Sequence, residues 1–334
     1  MDDLQFGSRN KRGDWAPAQK LEAAPFAALP SPARLGRWLM GYFWPWNLFF
    51  FTVTVVWWTG FLPDMATMAA LSPGWIVGLL TANIIGILGF FGAFELRYYV
   101  KRVQGRRFKY NGKFPAEHAS DVFWFKRQDI DNFLRCLLIG IPIGTAVEVL
   151  LLWLMASGRV ATLSWAEHPF AITAAVLAVP LIQELHFYVI HRAMHHWAPL
   201  YRWVHSLHHN SVNPSPWSSL SMHPMELLPY FGVASWALLL PSHPIVVVMF
   251  FTVAGFGAIV GHIGFDRLET GSDRATPSHA YAHYLHHKYF DVNYCDNGTL
   301  PLDVWFGSWH DGTAEGERLM QEQFQKKRER MNTA

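Results

Sequence analysis

Four long apolar stretches dominate the hydrophobic pattern of the chain. They run approximately over residues 38–62, 75–96, 133–155 and 170–190, and short polar segments separate them. Each is close to the ~20 residues that a helix needs to cross the hydrocarbon core of a bilayer. The pattern predicts an all-α, polytopic membrane bundle with about four transmembrane helices within residues 35–190.

A further apolar region, residues 227–263, is interrupted by Pro241-Ser242-His243-Pro244. A single crossing would leave the histidines before and after this region on opposite sides of the membrane. We therefore expect a re-entrant or short helical hairpin that returns to the side from which it starts, with its irregular backbone buried in protein. The histidine-rich segments around it would then form a helical cap on the cytosolic side.

The two ends of the chain differ in composition from the apolar middle. Residues 1–34 are polar, charged and proline-rich, which is typical of a disordered or surface-lying arm. Residues 313–334 form a charged C-terminal tail. We expect neither end to enter the membrane.

Basic residues are distributed unevenly between the predicted spans. Arg34 and Arg37 precede the first span and six basic residues lie in 97–109, whereas the loops 63–72 and 156–169 carry few charges. The excess of Lys and Arg marks the cytosolic side of a membrane protein. The bias predicts that the N-terminus, residues 97–132 and everything after Ile190 face the cytosol, in a bacterial inner membrane or in the endoplasmic reticulum.

Composition agrees with a membrane protein and excludes other classes. Hydrophobic residues make up 51% of the chain and charged residues 16%, against roughly 25% charged in a soluble domain. A net charge of +2 gives little support for a nucleic-acid partner. The two cysteines, Cys136 and Cys295, form no C-x-x-C pair and suggest no disulfide framework.

Histidines provide the candidate chemistry. Seventeen occur in the chain, and eight of them fall into three tight groups. On a helix, residues three or four apart project from one face, so each group directs its imidazoles together. Neutral imidazole is the commonest nitrogen ligand of transition metals. The groups are His191 and His195; His205, His208 and His209; and His283, His286 and His287.

Eight histidines are too many for one metal ion. Structural zinc takes four ligands, and catalytic zinc takes three and a water molecule. Three groups around a common volume therefore predict two metal ions with open positions. His262, at the cytosolic end of the predicted hairpin, is a ninth candidate ligand. No cysteine accompanies the groups, which argues against a zinc finger or an iron–sulfur site.

Neighbouring polar residues are candidates for orienting the ligands. Glu184 shares the helical stripe of His191 and His195, and Glu226 and His223 lie in the segment after the second group. Each could hold a ligand imidazole from outside the metal site. An interfacial position for Glu184 and loop capping for the other two are the alternatives. Metal binding by three further histidines stays open: His186, His196 and His279.

These residues resemble the sterol desaturase and fatty acid hydroxylase superfamily over residues 181–312. The similarity rests on the order and spacing of the three histidine groups. It also includes Leu200-Tyr201, Met222-His223-Pro224-Met225-Glu226, Gly261-His262, Asn293-Tyr294 and Leu302-Asp303-Val304-Trp305-Phe306-Gly307. One departure is Cys295, where the family usually has glycine, and the backbone conformation there is in question because glycine permits angles that cysteine does not.

The resemblance implies a membrane-embedded enzyme that holds two iron ions, as Fe2+ or Fe3+, on the cytosolic face. Such enzymes use dioxygen to hydroxylate or desaturate a lipid, which here would be sterol-like or a long-chain acyl compound. It assigns no catalytic residue beyond the metal ligands. The chain shows no dinucleotide fingerprint, no cysteine cluster and no fused haem domain. A separate electron donor is therefore expected, a ferredoxin or a cytochrome with its reductase.

Two other functions fit a histidine-rich membrane protein. The first is a metal transporter or metal sensor, but transport sites usually lie near the bilayer midplane, whereas these histidines follow the last predicted span. The second is an intramembrane zinc hydrolase, for which the H-E-x-x-H motif is missing. The identity of the lipid, the choice between hydroxylation and desaturation, and the oligomeric state are left open by the sequence.

Overall fold

Long apolar helices form the body of the molecule. The computed structural model describes residues 1–27, 30–239, 242–271, 273–295 and 298–333. Within these residues, five helices are long and apolar enough to cross a membrane. We call them spans 1 to 5: Pro32–Gly60, Pro73–Val100, Gln128–Ala156, Pro169–His196 and Pro244–His262. The first four contain the four predicted stretches, so the all-α polytopic membrane fold is confirmed.

The spans are built from shorter helical segments, several joined by one π-helical turn. Span 1 begins where the Ser31 hydroxyl accepts a hydrogen bond from the Arg34 N–H and Pro32 occupies the first turn. The segments are α1 (Pro32–Tyr42), Phe43–Asn47 and α2 (Leu48–Gly60); α4 (Pro73–Phe94) and Glu95–Val100; α5 (Gln128–Arg135), Cys136–Gly140 and α6 (Ile141–Ala156); α7 (Pro169–His196); and α12 (Pro244–Gly255) with α13 (Ile259–His262). The short helix α3 (Met65–Met68) lies between spans 1 and 2.

Span 5 is the centre of the bundle. Ninety-four per cent of its most apolar window is buried, against 17% for spans 1, 2 and 4. It packs against α2, α6 and α7. A helix that is apolar on all sides suits either a protein core or a membrane, and the run from Pro244 to Gly255 has a single hydroxyl, that of Thr252. Here the burial shows that protein surrounds it. The second half of the predicted hairpin is therefore the core.

The hairpin is deeper than expected. Its first half comprises α10 (Pro224–Phe231), the turn Gly232–Ser235 and α11 (Trp236–Leu239). Near its tip, Ser242 accepts a hydrogen bond from the Leu163 N–H at 3.0 Å, in the loop between spans 3 and 4. The expectation of a short hairpin is corrected, because the tip reaches the end of the bundle opposite the histidines. Pro241, part of the predicted break, lies outside the described residues.

Each half of the hairpin begins with a His-Pro pair. His223 and His243 precede α10 and α12, and in each the imidazole Nδ1 accepts a hydrogen bond, at 3.1 Å, from the N–H two residues later. Proline follows at the first helical position, where no N–H is needed. His223 therefore caps a helix, which is the alternative that the sequence left open.

The N-terminal segment contains a β-hairpin in the part of residues 1–34 that the structure describes. Strand β1 (Gly7–Arg9) pairs with β2 (Trp15–Pro17) in an antiparallel hairpin, and Gly7 lies opposite Pro17. Trp15 is 1% exposed and packs edge-on against Phe108, with 5.6 Å between the ring centroids. Its backbone N–H donates a hydrogen bond to the Tyr110 carbonyl. Burial of this tryptophan anchors a segment whose composition alone is too polar to form a core.

A cap of short elements covers the end of the bundle where spans 2, 4 and 5 finish. It contains α8 (Ala198–Leu200), Tyr201–His205, α9 (Ser206–His209), Pro216–Leu220, β3 (Arg267–Glu269) paired with β4 (Ala275–Pro277), α14 (Tyr281–Tyr289), α15 (Leu302–Trp305) and α16 (Ala314–Thr333). Three further single turns are Asp3–Gln5, Pro25–Ala27 and Trp124–Lys126. The charged C-terminal tail is thus largely the helix α16.

The basic segment after span 2 is folded against the cap. Lys109 is fully buried and its Nζ donates to Asn213 Oδ1 at 2.9 Å, while Arg107 donates two hydrogen bonds of 2.7 Å to Glu269. Burial lowers the pKa of Lys109 to about 7. Lys109 and Arg107 are therefore held by hydrogen-bond partners within the protein.

Candidate metal centre

All nine predicted histidine ligands converge in the cap, in two groups. Within each group the candidate ligand atoms lie within 4.8 Å of one another. The five-histidine group consists of His191, His195, His205, His209 and His286, and the four-histidine group consists of His208, His262, His283 and His287. The second and third sequence groups each contribute to both clusters.

Local helix geometry explains part of this convergence. His191 and His195 lie on the last turns of α7, and His283, His286 and His287 lie on α14. The π-helical turn Tyr201–His205 runs directly into α9, which carries His208 and His209. His262 is the last residue of span 5, so the deep hairpin delivers a ligand from the centre of the bundle.

His209 is the hub of the five-histidine group. Its Nε2 lies 3.0 Å from the Nε2 of His195, 3.0 Å from that of His205 and 3.1 Å from that of His286. An imidazole nitrogen carries either one hydrogen or one lone pair in the ring plane, so it cannot form three good hydrogen bonds. Hydrogen bonding therefore does not account for this arrangement.

The four-histidine group shows the same spacing. The Nε2 of His262 lies 3.2 Å from those of His208 and His283, and the Nε2 of His287 lies 3.0 Å from that of His283. Two nitrogens bound at right angles to one ion, each at ~2.1 Å, are separated by ~3.0 Å. The observed separations therefore fit the edges of a metal coordination sphere.

The outer ring nitrogens indicate which way the imidazoles are protonated. The Nδ1 atoms of His191, His286 and His262 lie 2.9, 2.8 and 3.0 Å from backbone carbonyl oxygens, of Tyr294, Val292 and Ala258. Carbonyls only accept hydrogen bonds, so the proton of each neutral ring is on Nδ1 and the Nε2 lone pair faces the cluster. Facing lone pairs repel unless a cation lies between them. The donor set thus fits a metal.

Burial keeps the ligands outside the spans neutral. It lowers the pKa of His208 to about 4, and it lowers the pKa values of His209, His283, His286 and His287 well below 6.5, with neighbouring imidazoles adding to the effect. Neutral imidazole is the form that binds a metal ion, so these side chains are prepared for ligation at pH 7.

Of the candidates for orienting a ligand, Glu226 contacts one. Its Oε1 lies 2.7 Å from His205 Nδ1, and both residues are buried. Glu184 instead accepts a hydrogen bond from the Leu300 N–H at 3.1 Å. His223 caps α10, as described above. A carboxylate on the outer nitrogen of a ligand imidazole fixes its tautomer and raises its basicity.

The three histidines that the sequence left open lie outside both groups. His186 Nε2 is 2.8 Å from the Pro229 carbonyl oxygen, and its Nδ1 accepts a hydrogen bond from Trp236. His196 is exposed. His279 lies in the wall of the cavity described below.

Asp303 supports the site, a role that the sequence did not assign. Its carboxylate accepts hydrogen bonds from the N–H groups of Tyr294 (2.9 Å) and Cys295 (2.8 Å) and from the Ser308 hydroxyl (2.6 Å). It thereby holds the turn whose Tyr294 carbonyl faces His191. Cys295 is not among the residues with positive φ, so this turn does not require glycine at that position. The Leu302-Asp303-Val304 motif, which is part of the family resemblance, could have indicated this role from the sequence.

A large cavity leads to the histidines. It contains about 1080 Å³ of atom-free space, which includes the open space at its mouth. His205, His208, His262 and His283 form one end, which we call the histidine end. Apolar side chains also line the cavity, among them Phe50, Phe187, Tyr230 and Val253. The shape suits an apolar ligand that presents one region to the histidines.

Comparison with known proteins agrees with the site. Residues 176–308 match the fatty acid hydroxylase family. The Delta(7)-sterol 5(6)-desaturase erg3C of Aspergillus fumigatus is 26% identical over 264 residues, covering 70% of this chain and 75% of that protein. The methylsterol monooxygenase erg25A of the same fungus is 34% identical over 131 residues, covering 37% of this chain and 43% of the relative.

A shorter match is the Delta(7)-sterol 5(6)-desaturase ERG3 of Saccharomyces cerevisiae, 31% identical over 114 residues, or 34% of this chain and 30% of that protein. The family match, over residues 176–308, contains all nine histidines of the two groups. No solved structure matches the chain.

Proposed function

Because the chain belongs to the sterol desaturase and fatty acid hydroxylase superfamily, we propose that it binds two iron ions on these nine histidines and uses dioxygen to hydroxylate or desaturate a lipid. The family match and the relatives confirm the coarser prediction of an oxygen-dependent lipid oxidoreductase. The observation that carries the proposal is the pair of Nε2 clusters, with separations of 3.0–3.2 Å.

The protein contributes ligand orientation and charge. Two bound iron ions would supply the redox capacity to activate dioxygen, which histidine side chains lack. Backbone carbonyls hold the rings of His191, His262 and His286 with their Nε2 atoms inward. Glu226 holds His205 and places a buried negative charge beside the five-histidine group.

The cavity is the binding site for the lipid. Its apolar side chains contact a hydrocarbon chain or ring system. One carbon of that ligand then lies at the histidine end, beside the cluster. The same walls exclude bulk water, which limits side reactions. This arrangement distinguishes the proposed enzyme from a metal transporter or sensor, for which a lipid-sized apolar cavity beside the metal has no use.

Two electrons for each turnover come from outside the chain. Cys136 and Cys295 are both buried and unpaired, and neither belongs to a cysteine cluster that could hold iron and sulfur. We assign the electrons to a separate ferredoxin, or to a cytochrome with its reductase. We also place the cap on the cytosolic face, since Arg34, Arg37 and the basic 97–109 segment flank the same ends of the spans.

Metal analysis of detergent-purified protein tests the proposal. We expect about two iron atoms per chain, together with oxygen uptake that depends on a reductant and on added lipid, and a lipid product that has gained one oxygen atom or lost two hydrogens. His196→Ala is the matched control, because this exposed histidine shares α7 with two proposed ligands but lies outside both groups. Stoichiometric zinc with no redox response would refute the proposal and favour a metal sensor or transporter.

A further inference from the structure

Gln183 is a buried polar residue in the wall of the cavity. It lies on α7, its side chain is 9% exposed, and its Oε1 has no hydrogen-bond partner among the described residues. Within a membrane span, no bulk water can replace a missing partner. A buried amide left in this state costs free energy, so its presence in a cavity wall indicates a ligand group that it would bind.

Three other polar side chains of the cavity wall already have partners. Asn47 Nδ2 donates to the Tyr42 carbonyl at 2.7 Å, the Tyr42 hydroxyl donates to the Leu177 carbonyl, and Glu184 accepts from the Leu300 N–H. These side chains bind the backbone of neighbouring segments and help to hold the wall together. The Oε1 of Gln183, in contrast, has no such bond among the described residues, which leaves it for a ligand group.

Gln183 lies on the face of α7 that also carries the proposed ligand His191. Residues 183, 187 and 191 are spaced by four on α7 and so lie along one stripe of the helix. Phe187 lines the cavity, and its ring lies 4.6 Å from that of His191. Eight residues of α-helix rise ~12 Å. The backbone positions of Gln183 and His191 are therefore ~12 Å apart along the helix axis, a distance that a small lipid can span.

The charges of the cavity wall indicate which kind of ligand group Gln183 would bind. None of the described residues that line the cavity is Lys or Arg, whereas two of them, Glu184 and Glu226, are acidic. A carboxylate or phosphate entering this wall would have no cation to pair with and would lie near two acidic side chains. An uncharged group that both donates and accepts a hydrogen bond, such as a hydroxyl, fits an amide.

We propose that Gln183 is a specificity-determining residue that binds a hydroxyl of an uncharged lipid, so that a remote carbon of the same lipid lies at the histidine end. This inference rests on the proposed function, because it assumes that the cavity holds the lipid substrate. It narrows that substrate to a hydroxyl-bearing lipid and excludes a free fatty acid bound through its carboxylate.

Equilibrium binding to the purified full chain tests this assignment without requiring turnover. Two probe pairs differ only in a hydroxyl: cholesterol and 5α-cholestane, and 1-hexadecanol and hexadecane. For the pair whose shape fits, the wild-type chain should bind the hydroxyl probe about tenfold more tightly, the effect of one hydrogen bond to a buried group. Gln183→Met keeps the length of the side chain and should reduce this preference to less than about twofold.

Phe187→Leu is the matched control on the same stripe. It removes apolar contact area and should weaken both members of a pair by similar factors, so the hydroxyl preference stays. Gln183→Met should not lower the melting temperature, because it replaces an amide that has no partner. A preference that survives Gln183→Met, no preference in the wild type for either pair, or a loss of stability with equal loss of both probes would each overturn the assignment. Iron content and oxygen uptake of the same preparation report separately on the proposed function.

Discussion

The two histidine groups differ in their surroundings. The five-histidine group includes the partly buried His195, and it includes His205, whose Nδ1 lies against the Glu226 carboxylate. All members of the four-histidine group are buried, and three of them, His208, His262 and His283, line the cavity. Among the members of the five-histidine group, the cavity is lined by His205.

This difference assigns distinct roles to the two positions. The five-histidine group has one more candidate ligand and a buried negative charge, both of which favour tight binding of a cation. The four-histidine group has fewer ligands and faces the apolar cavity, so coordination positions can remain open toward a substrate. We expect the first position to be the more firmly occupied one and the second to be nearer the chemistry.

The largest effect is expected when the four-histidine group loses a ligand. His283→Ala leaves three histidines there, whereas His195→Ala leaves four in the other group. Since loss of a residue that only orients a ligand costs about 10–100-fold, loss of the ligand His283 should lower turnover by more than about 100-fold. Iron should fall toward one atom per chain in His283→Ala and stay near two in His195→Ala, measured by metal analysis and oxygen uptake. Equal losses in both variants would contradict the difference between the groups.

Removal of the carboxylate should affect only the five-histidine group. Glu226→Gln keeps an oxygen near His205 Nδ1 but loses the negative charge, and we expect iron affinity at one of the two sites to fall by about 10–100-fold. Titration with a competing chelator measures this affinity. Glu184→Gln is the comparison variant, because Glu184 bonds the Leu300 N–H and should leave iron affinity unchanged. If the two variants behaved alike, the orienting role of Glu226 would be lost.

Acid should destabilise the metal-free protein through the buried histidines. The pKa of His208 is lowered from 6.5 to about 4 by burial. A group with a lowered pKa in the folded state stabilises the fold above its unfolded pKa, and this contribution is lost as the pH falls toward the folded value. The melting temperature should therefore fall between about pH 6.5 and pH 4. Thermal unfolding in detergent at several pH values measures this, and His208→Gln should show a shallower fall. Identical slopes would show that His208 does not contribute.

The smallest effect is expected at His223, which lies outside both groups. His223→Ala removes the hydrogen bond from the Met225 N–H that caps α10. Loss of a helix cap costs about 1 kcal/mol, so the melting temperature should fall by only a few degrees while iron content stays unchanged. A loss of iron in this variant would show that the hairpin positions the ligands more directly than its contacts indicate.

Much of the site could be predicted because its signals are local. The four apolar stretches required only length and composition, and the three histidine groups required only helical spacing. His262 was proposed from its place at the end of an apolar segment, and the structure brings it within 3.2 Å of His208. The depth of the hairpin was not predicted, since its tip is held by Leu163 across 79 residues of sequence, a contact that hydropathy does not encode.

The sequence alone determined that the chain is a membrane bundle with nine histidines suited to one centre, because hydropathy and helical periodicity act over a few residues. Only the tertiary structure decided how those histidines divide into groups of five and four, and that Glu226 rather than Glu184 contacts a ligand. It also decided that Asp303 holds the turn facing His191, and that Gln183 Oε1 has no hydrogen-bond partner among the described residues. These facts depend on contacts between distant segments, which form only when the helices pack around span 5.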